Sequence, residues 1–153
     1  MIQKLTSVFI ILIFMCSGCS FSNNLDDRIK KLNSVDYNVF KDLTIRKRNG
    51  IFIVQNHNKL YFVKRQFQND IYTKDIPHKD MQITISAALD VFEGMNVQAV
   101  SVDSLNNIIV AFSVERKCTH FIYRPSNKMT DSIFAMKYKK YDSEWYYDIV
   151  CSE

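Results

Sequence analysis

The stretch PHKDMQITISAALDVFEGMNVQAVSV, residues 77–102, holds the change of hydrophobic period on which the fold class turns. From His78 to Glu93 the apolar residues recur at helical spacing. Met81, Ile85, Ala88 and Phe92 share one stripe, and Ile83, Ala87 and Val91 widen it. A stripe that broad belongs to a helix laid against a sheet. Pro77 suits the entry to such a helix and Gly94 its exit. Past Gly94 the period drops to two: Val100 and Val102 alternate with Ser101 and Asp103, the pattern of a strand with one buried face.

The alternation continues toward the C-terminus. After a turn at Leu105-Asn106-Asn107, residues Ile108, Val110, Phe112 and Val114 lie on one face. His120 to Tyr123 is a further strand, or the same strand continued past a bulge near Arg116. Pro125, Ser126 and Asn127 then break the chain. Phe134, Met136 and Tyr138 alternate with lysines, and a turn at Asp142-Ser143 leads into Trp145, Tyr147, Ile149 and Cys151.

Toward the N-terminus, Ile51–Val54 and Leu60–Val63 read as a hairpin around Gln55–Lys59. Both of its faces are apolar, so it is either central or covered on both sides. Asn24 is a helix N-cap, with Asp26 and Asp27 in the first turn, Lys30 and Lys31 in the last, and Leu25, Ile29 and Leu32 as the apolar stripe. The segment from Val35 to Leu43 adds another turn or two. The expected fold is α+β, a curved antiparallel β-sheet of about six or seven strands with one main helix near residues 78–93 packed on a face and a short N-terminal helix.

The first residues carry a different signal. Lys4 opens it, an apolar run extends from Leu5 to Met15, and Cys16-Ser17-Gly18 lead to Cys19. The run is shorter than the roughly 20 residues a membrane-spanning helix needs, and it has the layout of a cleavable secretory signal. These residues resemble the lipobox of bacterial lipoprotein precursors. In that family, signal peptidase II cuts just before a cysteine that carries a diacylglyceryl thioether and often an acylated amino group. The resemblance covers residues 1–19 alone and departs from the family at Cys16, where Leu or another aliphatic residue is usual. It implies a signal peptide over residues 1–18, a lipidated tether over 19–23 and one globular domain over 24–153. It further implies the lipid bilayer as a partner, held through acylated Cys19, because several acyl chains anchor stably where one is marginal. In enteric lipoproteins an Asp after the modified cysteine retains the protein at the inner membrane, so Ser20 implies the outer membrane of the bacterial cell envelope.

Composition fits a folded domain: aromatic residues make up 13% of the chain, against only three Gly and two Pro, so a sizeable core is within reach. Without Lys4, and with no acid in the signal, the net charge falls from +4 to a mild +3. That balance, in an exported protein, argues against nucleic acid as a partner. Lys41, Arg46, Lys47 and Arg48 form a local basic cluster, with Lys64 and Arg65 further on. Such a cluster suits anionic headgroups or an acidic partner, and equally a solvated face.

Two cysteines lie beyond the lipobox, Cys118 and Cys151, and an exported compartment favours a disulfide between them. A simple meander from residue 108 onward opposes it. Cys118 would pair near Lys137, which would face Asp148, leaving Cys151 two strands away and beyond the roughly 7 Å that a bridge allows between α-carbons. Either the strand order is not a meander, or both thiols are free.

No catalytic pattern is present in the sequence: no HExxH, no GxSxG elbow, and no glycine-rich phosphate loop, since Gly50 and Gly94 are the glycines left after the signal. No cofactor is implied. His78 with Asp80, joined by His57 or His120, makes a poor metal set, and Cys118 with His120 makes a nucleophilic pair without an orienting group. The candidates for partner binding are the aromatic residues Trp145, Tyr146, Tyr147 and Tyr138, because Trp and Tyr dominate interface energetics; the same rings also suit a core. The expected function is a non-catalytic binding, inhibitor or immunity-type module with an envelope protein as its partner, or else an accessory structural component of an envelope assembly.

Overall fold

In the computed structural model, which describes residues 25–67, 69–115, 118–126 and 138–151, the chain opens with helix α1 (Leu25–Leu32) and a 3-10 turn (Tyr37–Phe40). Strands β1 (Leu43–Arg48), β2 (Ile51–Asn56), β3 (Lys59–Gln66) and β4 (Asn69–Tyr72) lead to helix α2 (Lys79–Met95). Strands β5 (Ala99–Val102), β6 (Ile108–Glu115), β7 (Cys118–Arg124), β8 (Lys139–Lys140) and β9 (Tyr146–Cys151) complete the described chain. The nine strands form one open antiparallel sheet in the order β4-β3-β2-β1-β5-β6-β7-β9-β8.

The α+β class and the antiparallel sheet agree with the sequence reading, but the strand count exceeds six or seven. Two strands escaped that reading. In β1, LTIRKR, three consecutive cations hide an alternation that buries Leu43 and Ile45 and exposes Arg46, Lys47 and Arg48. Strand β4, NDIY, is too short to show a period.

The topology comes from hairpin chemistry. Asn49 and Gly50 both take positive φ, 51° and 75°, as a two-residue turn of the twist-matching kind requires. Strands β1 to β4 therefore step outward to one edge. Helix α2 carries the chain back across the sheet, so β5 pairs with the free side of β1. The helix runs one residue past Gly94 and ends at Asn96, which adopts the left-handed conformation at φ 54°, ψ 50°. Asn tolerates that region, and Met95 packs against the core, which favours the extension.

The registers put both helices on one face. Leu43 and Ile45, Phe52 and Val54, Tyr61 and Val63, Val100 and Val102, Ile108 and Val110, and Ile122 are all buried on that side. Helix α2 adds Ile85, Ala88, Leu89 and Phe92, with the Phe92 ring edge-on to Phe52 at 5.9 Å. Helix α1 and the 3-10 turn add Ile29, Leu32, Tyr37 and Phe40. The β2–β3 hairpin is flanked by β1 and β4 and lies toward the β4 edge of the sheet, with one face against the helices, so it is neither central nor covered by a helix on both sides among the described residues.

Beyond β7 the order is not a meander. Strand β9 pairs directly with β7 over six residue pairs, and β8 lies outside β9 over two. The longer pairing sets Cys118 opposite Cys151, with α-carbons 4.0 Å apart, and a disulfide joins them. Lys137, whose expected partners were Cys118 and Asp148, lies outside the described residues, as do Phe134 and Met136, where a strand is expected. Reduction, or the double change Cys118→Ala/Cys151→Ala, is expected to lower the free energy of unfolding by about 3–4 kcal/mol, the entropy of a loop of this length. Urea denaturation with and without reductant measures it, and an unmoved midpoint would contradict the bridge.

Candidate functional site

Strand β7 ends at Arg124, and the alternation of the strand turns this side chain to the helix face beside Ile108. Its guanidinium carbon lies 4.9 Å from the centre of the Tyr37 ring and 5.0 Å from that of Trp145. Cation–π contact of this kind holds a charge in place without consuming its hydrogen-bond donors. Among the described residues no carboxylate pairs with Arg124 and no acceptor takes its N–H groups.

Arg65 makes the contrast. It is also partly buried, yet its guanidinium is saturated: Nε donates to Asp70 at 2.8 Å, Nη1 to Asp90 at 2.8 Å and to Glu93 at 3.2 Å, and Nη2 to the Ser86 carbonyl at 3.2 Å. Hydrogen bonding to Asp70 is the main cause that holds the guanidinium even further above its ordinary pKa. Arg65 ties the β3–β4 hairpin to α2 and is structural. Arg124 has the same chemistry, unused among the described residues.

Two short loops form the walls around it. In the β5–β6 loop, Asp103 Oδ1 accepts from the backbone N–H of Leu105 and of Asn107 at 2.9 and 2.8 Å, and Asn107 Oδ1 accepts from the N–H of Ser126 at 3.0 Å. In the β8–β9 turn, Asp142 Oδ1 accepts from the N–H of Glu144 and of Trp145, both at 2.8 Å. Between them opens a cleft of about 600 Å³ lined by Asn106, Arg124, Pro125, Ser126, Ser143, Glu144 and Tyr146. Arg124 supplies the cation, Ser126, Ser143 and Asn106 supply neutral donors, and Glu144 supplies one carboxylate. A fork of guanidinium donors matches a carboxylate or phosphate in bidentate fashion.

The aromatic candidates separate on burial. Trp145 is fully buried, its Nε1 donates to Asn33 Oδ1 at 2.6 Å, and its ring meets Tyr37 at 6.3 Å. Tyr138 is buried too, with its ring 5.3 Å from Tyr123. Both rings are buried rather than displayed, Trp145 against Tyr37 and Tyr138 against Tyr123. Tyr146 lines the cleft, and Tyr147 is half-buried on the opposite face of β9. The sequence reading passed over Arg124. Its signal was an arginine placed directly before Pro125, at the end of a strand and among aromatic residues.

His57 sits in the β2–β3 turn and His78 at the start of α2, both exposed, and His120 is half-buried on β7. Among the described residues no three His, Cys, Asp or Glu side chains gather as a metal set. Cys118 in its disulfide offers no thiolate to His120. No helix among the described residues is long and apolar enough to cross a membrane. No protein-family model, curated protein or solved structure matches this chain.

Burial raises the phenol of Tyr37 well above its ordinary range, and the Arg124 charge works against that rise. Burial also pushes Tyr72 up to about 12, and a hydrogen bond to Asp26 is the first cause that pushes Tyr141 up to about 12. In each case the fold favours the neutral phenol, so the unfolded chain releases its proton first. Stability is then untouched below the ordinary tyrosine pKa of 10.0 and falls as pH climbs toward about 12. Urea midpoints across that range, read beside the phenolate absorbance, test the sign. Trp145→Ala is expected to cost about 3–5 kcal/mol by the same measurement, against under about 1 kcal/mol for Tyr146→Ala.

Proposed function

We propose that this chain is a lipid-anchored, non-catalytic binding module of the bacterial cell envelope, of the inhibitor or immunity type, whose cleft at Arg124 receives a carboxylate from an envelope protein. The observation that carries the reading is the hydrogen-bonding state of Arg124. A half-buried guanidinium fixed by two aromatic rings is pre-organised, so a partner's Asp or Glu meets it without the entropy cost of ordering a free arginine. Tyr146 beside it supplies the apolar contact typical of an interface centre. Glu144 on the same rim disfavours a second negative charge and selects a single carboxylate flanked by a donor.

Anchoring enters through the resemblance of residues 16–19 to a lipobox. Tethering at Cys19 keeps the module at the membrane, where a partner of the envelope is met at high effective concentration.

Two experiments test the two parts. Cys19→Ala is expected to abolish acylation, seen as a lower mass, and to release the protein from the detergent phase; persistence in detergent would sink the anchoring. Envelope proteins recovered with the intact lipoprotein are expected to bind roughly thirtyfold more weakly to Arg124→Ala, a hot-spot loss of about 2 kcal/mol. Recovery unchanged by Arg124→Ala, or no partner for the parent chain, would overturn the cleft as the recognition point.

A further inference from the structure

The two faces of the sheet differ in charge as well as in cover. On β1 the alternation sends Lys47 to the helix side, where its Nζ lies 3.5 Å from Glu93 Oε1 and 4.8 Å from the centre of the Phe52 ring. Arg46 and Arg48 go to the other side, as does Lys64 on β3. Three acids of this half, Asp70, Asp90 and Glu93, lie on the helix side around Arg65. Among the described residues Arg46, Arg48 and Lys64 are exposed and no carboxylate pairs with them.

Apolar side chains fill the spaces between these cations. By register, Arg46 stands beside Ile53 and Ile53 beside Phe62, while Lys64 stands beside Ile71. No helix among the described residues covers this side. Ile71 is 42% exposed, and Phe67, at the tip of the β3–β4 hairpin, is 103% exposed. A protruding aromatic ring at the hairpin tip, next in the chain to this cationic face, is poor chemistry for plain solvent.

We infer that the bare face of strands β1–β4, with Arg46, Arg48, Lys64 and Phe67, rests on the anionic surface of the bilayer that holds the chain. The inference depends on the anchoring proposed above. Cations among apolar side chains match phosphate headgroups over acyl chains, each Lys or Arg near the surface adding to the attraction. Arg124 points to the helix side, so this posture turns the recognition group away from the lipid and toward a partner.

The test uses the mature chain carrying Cys19→Ser, which has no acyl group, with vesicles of phosphatidylcholine alone or mixed with phosphatidylglycerol. Sedimentation is expected to show binding to the anionic vesicles that weakens with salt. Arg46→Glu/Lys64→Glu should weaken it roughly tenfold or more, and Lys30→Glu/Lys31→Glu on α1, an equal change of net charge, should weaken it far less. Phe67→Ser should lower the part that survives high salt. Thermal melts matching the parent establish that each variant is folded. The inference is overturned if anionic vesicles are not preferred, if both charge reversals act equally, or if polyglutamate in solution competes at the affinity of the vesicles, which would assign the face to an acidic protein. Failure here is distinct from failure of the anchoring, which is read from the mass of Cys19→Ala.

Discussion

The indole of Trp145 is where four separate parts of the chain meet. Its Nε1 donates to Asn33 just past α1, its ring lies against Tyr37 of the 3-10 turn and against Arg124 at the end of β7, and its backbone N–H is held by Asp142 in the turn before β9. Each contact ties one element to the C-terminal end of the sheet. Without the ring, α1 would lose one polar tie to the C-terminal strands, keeping that from Tyr141 to Asp26, and Arg124 would lose one of the two surfaces that keep it still. Burial of so large a side chain is also the strongest single hydrophobic contribution at that end of the sheet.

A second constraint, the two-residue period of a strand, distributes the charge. Consecutive cations such as Arg46, Lys47 and Arg48 cannot share a face, so Lys47 meets Glu93 under α2 while its neighbours face outward. The same rule separates Lys64 from Arg65. The helix side thereby gathers paired charges over a dense core, and on the bare side of β1–β4 no carboxylate among the described residues pairs with Arg46, Arg48 or Lys64. The proposed lipid contact lies on strands β1–β4 at one end of the sheet and the proposed carboxylate cleft at Arg124 near the other, which makes a small anchored protein able to hold a membrane and a partner at once.

Legibility tracked the length and purity of each pattern. Helix α2 was readable because its stripe repeats over four turns, and β6 because four apolar residues alternate without interruption. Strand β1 was not, because its cations are decided by pairing with β2 and β5 rather than by any local preference. The end of α2 at Asn96 instead of Gly94 rests on Met95 finding a place in the core, a contact no local rule contains. The aromatic residues near the C-terminus were recognised as a group, but which of them is buried depends on where β9 lands, and Arg124 became visible as a candidate only when the rings beneath it were in place.

By itself, the sequence determined the class of elements, the helical and strand periods, the pairing of charge with helix ends, and the resemblance of residues 16–19 to a lipobox, since all of these are local in the chain. Only the tertiary structure decided that β9 inserts between β7 and β8, that Cys118 therefore faces Cys151, and that Arg124 meets two rings and, among the described residues, no carboxylate. These depend on contacts between residues far apart in sequence, where the energy of a pairing is set by which surfaces remain to be buried once the local elements have formed.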